Sequence, residues 1–115
     1  DLWLLAGGES GKQVFVSGST AIQPDGSVAG EGDPYPQASQ ALKTITAAWQ
    51  QAGTFMKDVV STRIFSMNIM DHLDALAKAH FEVLGMIRPA STAVELSCLV
   101  HPDLLFEIEA DAVIE

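Results

Sequence analysis

Two carboxylates one residue apart, Glu107 and Glu109, stand in "LLFEIEADAV", with Asp111 next on the same alternation. Carboxylates so spaced lie on one face of a strand. There they can accept and release protons, or hold a water. From Ser91 onward the chain has neither Lys nor Arg. Such a site would draw its cation from earlier in the sequence, and Arg63 and Arg88 are the candidates. Ser17 or Ser91 could serve as a nucleophile only beside a base. His72, His80 and His101 show no metal-ligand spacing, and "HPD" at 101–103 reads as a turn. His80 falls on an apolar helix stripe, where a satisfied, partly buried imidazole is the ordinary outcome. Cys98 alternates onto the apolar side of its segment and is expected in the core. Neither a metal nor a cofactor is implied.

The elements that must position these groups can be read from periodicity. "QVFVSG" alternates and ends as a strand at Ser17-Gly18, and "QPDG" makes a turn. Gln23 to Pro36, rich in Gly and Pro, is a loop inside one domain. Asp33-Pro34 has the form of a helix start. Ala38, Ala41, Leu42, Ile45, Ala48, Trp49 and Ala52 recur at helical spacing up to Gly53. "DVVSTRIFS" is β-branched and predicts a strand. Asp71 can cap a second helix with the stripe Leu73, Leu76, Ala77, His80, Phe81 and Leu84, ending at Gly85. Two strands follow Arg88-Pro89. The order predicts an α+β fold: a two-layer sandwich with both helices on one face of a mixed sheet.

Alternation then assigns the faces. Thr92, Val94, Leu96 and Cys98, Phe106, Ile108, Ala110 and Ala112, and Val60 with Ile64 are expected against the helices. Ser91, Ala93, Glu95 and Ser97, Glu107, Glu109 and Asp111, and Ser61, Arg63 and Phe65 are expected on the other face. That face is either solvated or a wet subunit interface. Arg63 should pair there with a carboxylate, in its own chain or across an interface.

The bulk numbers bound the function. The chain has 115 residues, nearly half of them apolar, so one domain with one core is expected. Fifteen acids against six bases give a net charge of −9. Phosphate-binding proteins need the opposite sign, so nucleic acid and anionic membranes are disfavoured as partners. A single Cys allows no internal disulfide and fits a reducing, cytoplasmic setting. The apolar start "LWLLA" is short and lacks a basic leader, so it does not read as a signal peptide.

"VFVSG", "IRPASTAVEL" and "LLFEIEADAV", in this order of elements, resemble the reactive intermediate deaminase family, also called YjgF-like, from about Gln13 onward. The resemblance implies a chorismate-mutase-like fold packed as a homotrimer, with an inner barrel of sheets and small-molecule clefts between subunits. Active members hydrolyse enamines and imines such as 2-aminoacrylate. They clamp the substrate carboxylate with an Arg and position water with a Glu. By resemblance Ser17, Gly18 and Glu107 match cleft positions, with Glu107 as the catalytic one. Ser91 falls at the clamp Arg, Ala77 near a cleft Asn and Leu4 near an N-terminal Tyr. Ala93 and Arg88 flank Ser91 and complete the candidate cleft. A hydroxyl in place of a guanidinium offers one neutral hydrogen bond instead of a charged pair. The expectation is a small-molecule-binding trimer with weak or absent 2-aminoacrylate deamination. Hydrolysis of another enamine or imine by Glu107 and water is the alternative. Related proteins carry older endoribonuclease names, which the acidic balance argues against.

Overall fold

A computed structural model describes the backbone of residues 3–8 and the whole of residues 11–114. Strands β1 (Trp3–Gly8) and β2 (Gly11–Ser19) form a hairpin. Helix α1 (Pro34–Gln51), strand β3 (Val59–Ser66), helix α2 (Ile69–Leu84) and strands β4 (Ala90–Glu95) and β5 (Phe106–Ile114) follow. The sheet order is β1-β2-β5-β3-β4, and only β3 and β4 run parallel. The helix α2 supplies the crossover that a parallel pair requires. The α+β expectation, two helices on a mixed sheet, holds.

The helix α1 follows its predicted stripe. It starts at Pro34, whose fixed φ suits a first helical turn, and Gly53, at φ 75°, ends it. Ala38, Ala41, Leu42, Ile45, Ala48 and Trp49 are buried against Val14 and Val16 of β2 and Phe106, Ile108, Ala110 and Ala112 of β5. The alternation in β5 falls as expected, apolar residues inward and acids outward.

Three expectations fail for local reasons. In β3 a register shift between Val59 and Ser61 turns Val59 inward and leaves Val60 exposed. An extra residue in a strand reverses the alternation before it. In α2 the N-cap position is Asn68, in a left-handed conformation at φ 44°. Asp71 lies inside the first turn, and the Glu95 carboxylate reaches from β4 to accept the Ile69 N–H at 2.9 Å.

The third is the face assignment of β4. Ser91 pairs with Thr62, Ala93 with Ile64 and Glu95 with Ser66. Thr62, Ile64 and Ser66 point toward the helices, so Ser91, Ala93 and Glu95 do too, while Thr92 and Val94 look the other way. All six residues of β4 are exposed, so this edge strand carries no burial signal to set its parity. Leu96 and Cys98 lie beyond its end, and Cys98 is exposed, not in the core.

Candidate functional site

The face of the sheet away from the helices holds the first group of candidates. Arg63 lies between two carboxylates of β5. Its Nη1 donates to Asp111 Oδ2 at 2.8 Å, its Nη2 to Asp111 Oδ1 at 3.2 Å and its Nε to Glu109 Oε1 at 3.2 Å. Ser61 Oγ also donates to Asp111 Oδ2, at 2.8 Å. The guanidinium holds the Asp111 carboxyl below the usual range, and the acids raise Arg63 above its own. The expected pairing of Arg63 is therefore present within the chain. Its guanidinium is occupied, which leaves it poorly placed to clamp a ligand.

Glu107 lies further along the same face, beside Phe65. The pairing of β2 with β5 is irregular between Val16 and Ser19, and Ser17-Gly18 sits within that irregularity. There Gly18 comes directly against the Glu107 side chain. A Cβ on Gly18 would stand 2.6 Å from Glu107 Cδ and 2.8 Å from Oε1. Glycine serves here for close approach, not for a special φ, and a Cβ would push the flexible Glu107 carboxyl aside. Gly18 and Glu107 thus lie side by side, with Ser17 next to Gly18 in the chain.

Ser91, Ala93 and Arg88 form a second group on the helix side. They line a cleft of about 800 Å³ between α2 and the β3–β4 edge, walled by Ile64, Leu73, Leu76, Ala77, Phe81 and Leu84. Thr62 Oγ1 lies 2.7 Å from Ser91 Oγ and 3.0 Å from His80 Nε2. Ser91 Oγ also donates to the Pro89 carbonyl at 3.3 Å. Burial pushes His80 below the ordinary imidazole value, so it is neutral at neutral pH. Arg88, at the rim, holds a left-handed φ of 56°, uncommon for a side-chain-bearing residue. Its amide closes the end of α2 by donating to Leu84 O at 3.0 Å.

Thr62 was missed by sequence reasoning. Its one signal is a polar residue at an inward position of β3, where a buried hydroxyl needs a partner. His80, a weaker candidate from the sequence, is tied to the cleft through it. Ala77 is in the cleft wall, and the side chain of Leu4 lies outside the described residues. His101 belongs to a turn, where its Nδ1 accepts the Asp103 N–H.

Within one chain the two groups stay apart. Glu107 with Gly18 and Ser91 with His80 project from opposite faces of the sheet, so the expected meeting of Glu107 and Ser91 does not occur inside a protomer.

Comparison with known proteins gives a consistent picture. The family model described as Endoribonuclease L-PSP matches residues 6–114. The chain is 33% identical over 99 residues to the 3-aminoacrylate deaminase RutC of Acinetobacter baylyi, covering 86% of this chain and 77% of that protein. It is 32% identical over 109 residues to the 2-iminobutanoate/2-iminopropanoate deaminase of Salmonella typhimurium, covering 93% and 84%. Among solved structures, a member of the YjgF/YER057c/UK114 family from Mycobacterium tuberculosis superposes with a TM-score of 0.79 at 37% identity, covering 89% of this chain and 79% of that one.

Proposed function

The chain belongs to the endoribonuclease L-PSP family, the YjgF-like reactive intermediate deaminases, and on that premise we propose that it is a cytoplasmic homotrimer binding a small molecule in clefts between subunits. Deamination of 2-aminoacrylate is weak or absent. The observation that carries this reading is the state of the cations. Ser91 stands where the resemblance sets the clamp, and Arg63 is taken up by Asp111 and Glu109. Among the described residues that line the cleft, Arg88 alone brings positive charge, and it sits at the solvent-exposed rim. Loss of a buried carboxylate clamp costs about 2–5 kcal/mol of binding.

Assembly is supported by the layout of the two groups. The open face presents Glu107 and Gly18, with Phe15, Val94 and Val113 exposed around the ion pairs. The helix side presents the Ser91 cleft. A head-to-tail ring sets the face of one protomer against the cleft of the next and joins both groups in each interface. An acidic chain with apolar and ion-paired patches on that face suits such an interface better than an RNA surface.

Hydrolysis of a different enamine or imine is the second reading. It is favoured by the close approach of Gly18 to Glu107, which leaves a carboxylate on that strand face where a water-positioning group could act, and by the deaminase names of two relatives. Ammonia release from freshly generated 2-aminoacrylate and from a panel of imines separates the readings, with wild type, Glu107→Ala and Ser91→Arg in parallel. The first reading expects wild type to be silent on 2-aminoacrylate and Ser91→Arg to gain activity. Glu107-dependent turnover by wild type on another imine would establish the second. Brisk wild-type turnover of 2-aminoacrylate would defeat the first.

A further inference from the structure

We infer that the cleft beneath α2 selects an uncharged ligand with a C=N or C=O acceptor and an apolar body, held by the Ser91 hydroxyl and backed through Thr62 by His80. The inference rests on the reading above that this cleft is the small-molecule site, and it names the ligand class.

Hydrogen-bond polarity supports it. Each hydroxyl carries one proton, and a carbonyl oxygen can only accept. Three contacts follow one another: His80 Nε2 to Thr62 Oγ1 at 3.0 Å, Thr62 Oγ1 to Ser91 Oγ at 2.7 Å, and Ser91 Oγ to Pro89 O at 3.3 Å. One direction satisfies all three. His80 Nε2–H donates to Thr62, Thr62 donates to Ser91, and Ser91 donates to Pro89. In the opposite direction Ser91 spends its proton on Thr62 and none is left for the carbonyl. The outer link is also the longest, and Ser91 is exposed. A ligand acceptor at ordinary hydrogen-bond length would displace Pro89 O from that proton. Ser91 therefore presents a donor to the cleft.

The ligand class follows from what surrounds this donor. Ile64, Leu73, Leu76 and Phe81 wall the cleft and favour an apolar body. A carboxylate needs charge or several donors; at Ser91 it meets one neutral O–H, and Arg88, the cation of the cleft lining, stands at the exposed rim. A ketone or imine carries one acceptor and needs no more. Thr62 is buried and holds the hydroxyl pair in place from beneath, so Thr62 is a positioning residue and Ser91 the contact.

The test titrates the intact chain at neutral pH with acetophenone and with benzoate, which share a ring and differ in charge, following backbone amide shifts by NMR. Acetophenone should bind about tenfold or more tightly than benzoate, with shifts centred on Ser91, Ala93 and Leu76. Ser91→Ala and the near-isosteric Thr62→Val should each weaken acetophenone about tenfold, the scale of one hydrogen bond. Ser91→Arg should reverse the preference. Long-range ¹H–¹⁵N spectra should show the His80 proton on Nε2. A bare Nε2, equal binding of benzoate, failure of acetophenone to bind, or variants that bind it like wild type would each overturn the inference. Sedimentation of the same samples reads assembly separately, so a monomeric chain that still selects acetophenone would sink the inter-subunit reading alone.

Discussion

Glu107 and Gly18 touch so closely that either residue reports on the other. A methyl group at position 18 would overlap the Glu107 carboxyl, the mobile end of a flexible side chain. Gly18→Ala should therefore fold and move the carboxylate. We expect its melting temperature to stay within a few degrees of wild type, while any Glu107-dependent turnover falls about 100-fold, as misplaced catalytic groups do. Unchanged turnover in Gly18→Ala, beside a dead Glu107→Ala, would show that this contact does not fix the reactive position. His80 gives a second test at this scale. Its folded pKa lies below the ordinary value of about 6.5 because burial disfavours the imidazolium. The unfolded chain thus takes up that proton first as the pH falls. The contribution of His80 is whole above about 6.5, declines as the pH drops through that value, and levels off below the folded pKa. Asp111 acts at lower pH: Arg63 depresses its pKa, so its stabilisation is whole above the ordinary carboxylate value, drains as the pH falls below that, and is gone below the folded value. His80→Gln should flatten the change in melting temperature between pH 8 and pH 5 and leave the more acidic step in place. An unaltered profile would mean that His80 does not titrate as its burial dictates.

Between the two helices the elements differ in how they meet the sheet, and this decides what the sequence could tell. The helix α1 lies flat on β2 and β5, so every member of its predicted stripe except Ala52 is buried. The helix α2 buries Leu76, Ala79 and Leu84, while Leu73 and Phe81 of its predicted stripe are exposed along the cleft. One apolar stripe thus serves both a core and a binding wall, and periodicity cannot divide them. Leu76 and Leu73, of the same type and one turn apart, make the comparison. Leu76→Ala should destabilise by about 3 kcal/mol, as buried Leu truncations do. Leu73→Ala should cost less than about 1 kcal/mol yet weaken an apolar ligand several-fold. Equal urea midpoints for the two variants would refute this division. The same physics explains the rest of what was legible. The face of Glu107 could be read because β5 is a central strand with one buried face, whereas Ser17-Gly18 came from the family resemblance. The parity of β4 was lost because an edge strand with both faces open gives no hydrophobic contrast, and that error hid the link from Ser91 through Thr62 to His80.

At the scale of the whole molecule, the sheet itself separates the two halves of the proposed site. Glu107 with Gly18 lies on one side and Ser91 with Thr62 and His80 on the other, so a single chain cannot close a cleft that needs both. A closed ring of three can, because each interface then pairs the open face of one protomer with the cleft of its neighbour. The consequence is complementation. Glu107→Gln protomers retain an intact Ser91 half, and Ser91→Ala protomers retain an intact Glu107 half. Each homo-oligomer lacks one half in every cleft. In rings assembled at random from an equal mixture, about one cleft in four draws both intact halves from different chains. Turnover of an imine that needs both halves should then recover to about a quarter of the wild-type signal after co-refolding. It should stay absent when separately folded samples are mixed and do not exchange subunits. If the two halves acted within one chain, no mixture would contain a complete site, because every chain carries one defect. Recovery would thus locate the site between subunits without any knowledge of the ligand's pathway, whereas its absence from rings shown to be mixed would return the search to the cleft of the single protomer.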